Sequence, residues 1–246
     1  MYPFLPLGPL SIPTAPLFAI LAGWFGISMM ARAGRRQGLN PDLVSNAGFI
    51  ALASGLIVAR LWHVVQFWAI YLEEPLLAFS LRPGGLALGP GMVAAVIGGY
   101  AYLLYARLDP VKIVAALALG LLVGDGFWQI GAFLTGEVLG LPSSLPWALP
   151  YFGELLHPAA LYRALGALTV AAVVYVWADF ERPGRLILLS LLGYSLMRLV
   201  SDAFVDGAAQ VGTLRVAQVT AFLVALVAAF LLSRPPQSLG TEAPAE

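Results

Sequence analysis

The sequence predicts an all-α polytopic membrane protein of about seven transmembrane helices, and three observations carry the prediction. Its 246 residues are 60% hydrophobic and only 11% charged, with a mean hydropathy of +0.87. Soluble domains carry roughly 25% charged residues. Long uncharged stretches of near-spanning length recur along the chain, as a helical bundle in lipid requires. They lack the alternation of apolar and polar residues that marks a barrel strand.

Residues 1–12 are apolar and proline-rich and are predicted to lie along the membrane interface. They carry no basic region and no small-residue cleavage site, so they do not read as a cleavable signal peptide. Spans are expected at about 14–33, 43–67, 91–107, 112–135, 158–178, 186–205 and 214–233. Arg32, Arg35 and Arg36 end the first. The second carries Arg60 and His63 near its far end. Between spans two and three, Arg82–Gly91 is rich in Gly and Pro, and a re-entrant or interfacial turn is expected there. Such a backbone is tolerated only where protein or water meets its polar groups. The fourth span includes Asp125 and Gln129, and the proline-rich loop 138–156 is expected to form an ordered cap. Together, 1–233 form one transmembrane domain, and 234–246 read as a disordered cytoplasmic tail.

Basic residues fix the expected orientation. Arg32, Arg35, Arg36, Arg107, Lys112, Arg182, Arg185 and Arg234 all fall in alternate loops, which predicts the N-terminus outside and the C-terminus in the cytoplasm. In that frame Arg60, Glu137, His157, Arg163, Arg198 and Asp202 lie in the outer half of the bilayer, with Asp125 nearer its middle. An ionisable residue at a helix centre costs about 2.5–3.5 kcal/mol on insertion scales. Charges from several helices at one level are therefore expected to converge on a shared polar cavity. Arg198 and Asp202 are spaced i, i+4 and are expected to pair. Taken singly, His63 and Arg215 read as helix-end residues reaching for the headgroups. With no cysteine and two histidines, no thiolate chemistry, cofactor or metal is expected, and a net charge of zero gives no reason to expect nucleic acid.

Five stretches resemble the motifs of the prolipoprotein diacylglyceryl transferase family. The family signature G-R-I-G-N-F-x-N-G-E corresponds to Trp128–Glu137, and H-P-x-Q-L-Y-E to His157–Arg163. G-Y-G-x-x-R-x-x-x-E corresponds to Gly193–Asp202, R-I-G-Y to Arg60–His63, and G-G-x-x-x-H-G-G to Gly84–Gly91. The matches are in order and span about residues 8–233. The resemblance implies a multi-pass protein of the bacterial inner membrane. It implies transfer of a diacylglyceryl group from phosphatidylglycerol to the lipobox cysteine of a prolipoprotein.

On that resemblance His157, Glu137 and Tyr194 are the catalytic candidates. Arg60, Tyr162, Arg198 and Asp202 are the candidates for holding the lipid. The implied partners are phosphatidylglycerol or another anionic lipid, and a prolipoprotein signal segment or membrane-protein partners. The chain departs from the motifs at several points. The family arginine falls on Gln129, the histidine on Gly89, the asparagines on Ala132 and Thr135, and the Gln and Glu on Ala160 and Arg163. Asp125 is an addition. The implied alternative is a catalytically inactive relative acting as a lipid-binding or scaffolding subunit. A small transporter or channel is a third reading, but no inverted repeat supports it.

Overall fold

The computed structural model describes residues 2–8, 10–79, 85–151, 153–207, 209–211 and 214–234. Among them, seven helices are long and apolar enough to cross a membrane. They are α1 (Thr14–Arg36), α2 (Pro41–Gln66), α4 (Leu88–Ala106), α5 (Pro110–Thr135), α6 (Ala159–Trp177), α7 (Pro183–Ser201) and α8 (Val216–Ser233), with a short α3 (Trp68–Glu73) after α2. A 3-10 turn, Asp202–Phe204, extends α7. The predicted spans match these helices to within a few residues. The expected tail lies almost wholly outside the described residues.

Local chemistry sets the helix ends. Pro41, Pro110 and Pro183 open α2, α5 and α7, where a missing N–H costs nothing. The Asn40 side chain accepts from Asp42 N, and that of Asp109 from Val111 N and Lys112 N. Gly136, at φ 72°, closes α5: its N–H bonds Phe133 O and that of Glu137 bonds Ala132 O.

Packing follows small residues, which let helices approach closely where lipid gives no hydrophobic drive to associate. The α1 and α5 backbones meet at Gly26 and Gly120; a Cβ on Gly120 would lie 2.7 Å from Gly26 O. The α2 and α4 backbones meet in the same way at Gly55 and Gly91. The large apolar core lies toward the end where the basic loops gather, built from Met30, Val44, Ile113, Leu119, Phe180 and Leu186 among others. There Arg36 stacks on Tyr175 and Phe180, and Lys112 Nζ donates to Gln37 O at 3.1 Å.

The opposite end carries three antiparallel hairpins: β1–β2 (Phe4–Leu7, Leu10–Pro13), β3–β4 (Leu149–Tyr151, Glu154–Leu156) and β5–β6 (Gln210–Val211, Leu214–Arg215). Residues 1–12, expected merely to lie at the interface, thus begin a paired hairpin. Tyr2 N bonds Leu134 O and Thr14 N bonds Pro3 O, which seats it on the end of α5. Within the loop 138–156, Leu149–Tyr151 pairs with Glu154–Leu156, and Pro142 bridges to Leu156. Burial raises the Tyr151 phenol above its ordinary pKa, so this cap residue stays neutral.

The 82–91 segment needs correction. Its first residues, 82–84, lie outside the described ones, but Leu88–Gly91 already belong to α4. Pro90 sits in the first turn of that helix, where its ring and missing N–H are harmless. The irregular backbone lies earlier, in the 3-10 turn Pro75–Phe79 and the extended residues 85–87.

Candidate functional site

The cap end gathers the polar side chains that the apolar spans carry. At its centre is Asp202, 1% exposed, at the end of α7. Arg163 of α6 donates from Nε and Nη2 to its Oδ1 at 2.8 and 2.6 Å. Arg198, one turn earlier on α7, places Nε and Nη2 at 2.9 Å from Oδ2. One buried carboxylate therefore holds two guanidinium groups, one on each oxygen. Arg215, at the start of α8, donates to the backbone carbonyls of Asp202 and Val205. The carboxylate and its two side-chain partners carry a net charge of +1, and a guanidinium has five N–H donors, more than the contacts with Asp202 use. Tyr194 lies one turn below Arg198, its ring 6.0 Å from the guanidinium carbon.

Between α6 and α7 lies a groove of about 760 Å³, which Arg163, Arg198 and Asp202 do not line. Its walls are apolar, with Gly166, Val170, Gly193 and Met197 on the facing helices. Its mouth is polar: Trp147 Nε1 donates to Tyr162 Oη at 2.8 Å, and Tyr162 Oη lies 3.1 Å from His157 Nδ1. Phe204 packs on His157 at 4.8 Å. Successive residues of α6 thus serve both, Tyr162 the groove and Arg163 the buried carboxylate.

The segment 139–143 joins these two regions. Leu141 N bonds Phe204 O at 2.9 Å, His157 N bonds Leu141 O at 3.0 Å, and Asp206 N bonds Leu139 O at 3.0 Å. Gly140 is wedged against the His157 backbone, where a Cβ would meet His157 O at 2.1 Å.

Other candidates fall elsewhere. Arg60 donates to the carbonyls of Leu77, Ala78 and Gly85, and its guanidinium lies 5.4 Å from the Tyr71 ring. It holds the chain after α2 in place, and its contacts are not with the Asp202 cluster. Glu137 is exposed just beyond the Gly136 cap, because that turn directs the chain out of the helix. His63 stacks on Phe67 and Tyr71. Gly89 faces open space. Gln129 donates from Nε2 to Asp125 Oδ1 at 3.1 Å. Sequence reasoning did not commit Arg163 to the pocket and gave Arg215 only a headgroup role. Among the described residues, no three His, Asp or Glu groups converge as metal ligands would.

These features define a class: a seven-helix integral membrane protein with two guanidinium groups held on one buried carboxylate, and an apolar groove with a polar mouth between the same two helices. The model of the prolipoprotein diacylglyceryl transferase family matches residues 4–234, and the chain belongs to that family. It is a multi-pass protein of the bacterial inner membrane. A relative from Clostridioides difficile is 28% identical over 218 residues, covering 84% of this chain and 88% of its own length. One from Synechococcus elongatus is 29% identical, covering 88% and 81%. A third, from Corynebacterium diphtheriae, is 27% identical, covering 96% and 93%. Each bears the name phosphatidylglycerol–prolipoprotein diacylglyceryl transferase.

Proposed function

We propose that this chain transfers the diacylglyceryl group of phosphatidylglycerol to the cysteine thiol of a prolipoprotein, at a site rearranged relative to the family motifs. The observation that carries this is the pair of guanidinium groups on Asp202. Planar guanidinium forks suit phosphate oxygens. A cluster of net charge +1 matches the single charge of a phosphodiester. Arg163 stands where the family motif has glutamate, and so supplies a cation to a site whose motif arginine is Gln129.

In this reading Arg163 and Arg198 hold the phosphate, and Tyr194 donates to the headgroup. The thiol sulfur forms a bond to the terminal glycerol carbon of the lipid, the C–O bond to the phosphate breaks, and glycerol 1-phosphate leaves with the electron pair. The thiol proton passes to the His157–Tyr162 pair at the groove mouth. Arg60 has the different task of fixing the 75–87 segment to α2, and Glu137 is given none. The N-terminus lies outside and the C-terminus in the cytoplasm. A C-terminal phosphatase fusion, active only outside the cell, is expected to be inactive, and an active one would reverse this orientation.

The test of the activity is transfer of labelled diacylglycerol from phosphatidylglycerol vesicles to a lipobox peptide. Arg198→Ala and Arg163→Ala are each expected to lower the rate by about 10²-fold or more, the scale of losing one pre-positioned charge-stabilising group. A second reading, an inactive lipid-binding subunit, is favoured by Gly89, which brings no side chain to the motif's histidine position. Retention of phosphatidylglycerol without any transfer would decide for it.

A further inference from the structure

Asp125 and Gln129 sit on successive turns of α5 and exchange a single hydrogen bond, Nε2 to Oδ1 at 3.1 Å. The other two oxygens, Asp125 Oδ2 and Gln129 Oε1, are buried and have no partner among the described residues. Gln129 as a whole is 6% exposed. A buried acceptor without a donor is costly, because it has given up its water and gained no partner. Two within one turn of a membrane span are costly to keep for packing alone. The i, i+4 spacing puts both on one helix face.

That face is tied to the guanidinium cluster. Helix α5 packs on both α6 and α7. Tyr194 of α7 places its ring 6.0 Å from the Arg198 guanidinium carbon. Ser190, one turn below Tyr194, adds a buried hydroxyl that also has no partner among the described residues. The guanidinium end of this region thus carries the cations, and its Asp125 end carries acceptor oxygens left idle among the described residues.

A phospholipid headgroup has the complementary order. Its phosphodiester is an acceptor, and the group esterified to it carries donors: two hydroxyls in a glycerol headgroup, an ammonium in an ethanolamine headgroup. We propose that Asp125 and Gln129 form the subsite for this donor-bearing tail and set which phospholipid the protein selects. The inference rests on the reading of Arg163 and Arg198 as the phosphate clamp. It assigns the replacement of the motif arginine by Gln129 a purpose: an acceptor, coupled to an added carboxylate, faces the tail rather than the phosphate.

The experiment compares retention of three lipids with the same acyl chains by the purified protein, read by native mass spectrometry. They are phosphatidylglycerol, phosphatidylethanolamine and phosphatidylmethanol, whose methyl headgroup has a phosphate but no donor. The wild type is expected to prefer one of the first two over phosphatidylmethanol by about tenfold, the worth of one or two hydrogen bonds to a charged group. Preference for the glycerol lipid identifies the hydroxyls as the ligand, and preference for the ethanolamine lipid identifies the ammonium. In Asp125→Leu, and independently in Gln129→Leu, the ratio is expected to fall to about one. Equal retention of all three lipids by the wild type overturns the proposal, as does a preference that survives both substitutions. Failure to retain any of the three would instead overturn the lipid-site reading itself.

Discussion

Asp202→Ala is expected to abolish diacylglyceryl transfer and to destabilise the fold at the same time. The carboxylate is 1% exposed and takes Arg163 on one oxygen and Arg198 on the other. Removing it leaves two cations, 12% and 25% exposed at their side chains, without a counter-charge inside the bundle. Breaking a buried ion pair by deleting one partner costs about 3–5 kcal/mol, because the other partner stays desolvated. Here one deletion orphans two. The Arg215 contacts are to the backbone of residues 202 and 205, so the start of α8 loosens as the turn relaxes. A lower thermal midpoint alone would fit a purely structural Asp202. Asp202→Asn separates the roles. It keeps the shape and an acceptor but removes the charge that orients both forks, so transfer should fall by about 10²-fold even where the protein still folds, the scale of an ångström of misplacement. Near-normal transfer by Asp202→Asn would show that the arginines need no anionic anchor.

This cluster was legible in the sequence only in part. The Arg198–Asp202 pair follows from i, i+4 spacing within one helix. Arg163 is 39 residues from Asp202, and nothing in the sequence fixes the rotation of α6 that turns Arg163 inward and its neighbour Tyr162 toward the groove. Arg60 shows another kind of gap. The resemblance makes it a lipid-holding candidate, but no motif says what surrounds its side chain. It meets loop carbonyls that the following segment brings back to α2. Depth in the bilayer can be counted along a helix, but direction around the bundle depends on tertiary packing.

The spans themselves were readable because lipid leaves the backbone few options. Their ends were readable because proline, asparagine, aspartate and glycine act on local geometry, as at Pro110, Asp109 and Gly136. The hairpins were not. Pairs as short as FLPL with LSIP show no alternation, and what ties this pair to α5 is a bond from Tyr2 N to Leu134 O, 132 positions along the chain. The role of segment 139–143 was hidden for the same reason, since its hydrogen bonds run to residues 155–157 and 204–206 rather than to its neighbours.

That segment carries the second large effect, expected for Gly140→Ala. A methyl group there would lie 2.1 Å from His157 O and 2.8 Å from His157 Cβ, roughly 1 Å or more inside van der Waals contact with the oxygen. Neither side can yield easily. On one side Gly140 bridges to Val205 and Leu141 bonds Phe204, so the strand is tied to the end of α7. On the other, His157 N is bonded to Leu141 O, and the chain enters α6 two residues later. Overpacking of this kind costs about 1–3 kcal/mol. The displacement falls on His157, whose Nδ1 is 3.1 Å from Tyr162 Oη and whose ring rests on Phe204. A shift near 1 Å at a reacting group costs on the order of 10²-fold in rate. Retention of phosphatidylglycerol should change much less, because Arg163, Arg198 and Asp202 hold one another and make no hydrogen bond to His157 among the described residues. Gly89→Ala is the control, since a methyl group there meets no atom of the described residues within 4 Å. Transfer lost in Gly140→Ala but kept in Gly89→Ala, with lipid still bound to both, would locate the thiol chemistry at the groove mouth. Full transfer by Gly140→Ala would remove His157 from the reaction, because the substitution cannot be accommodated without moving it.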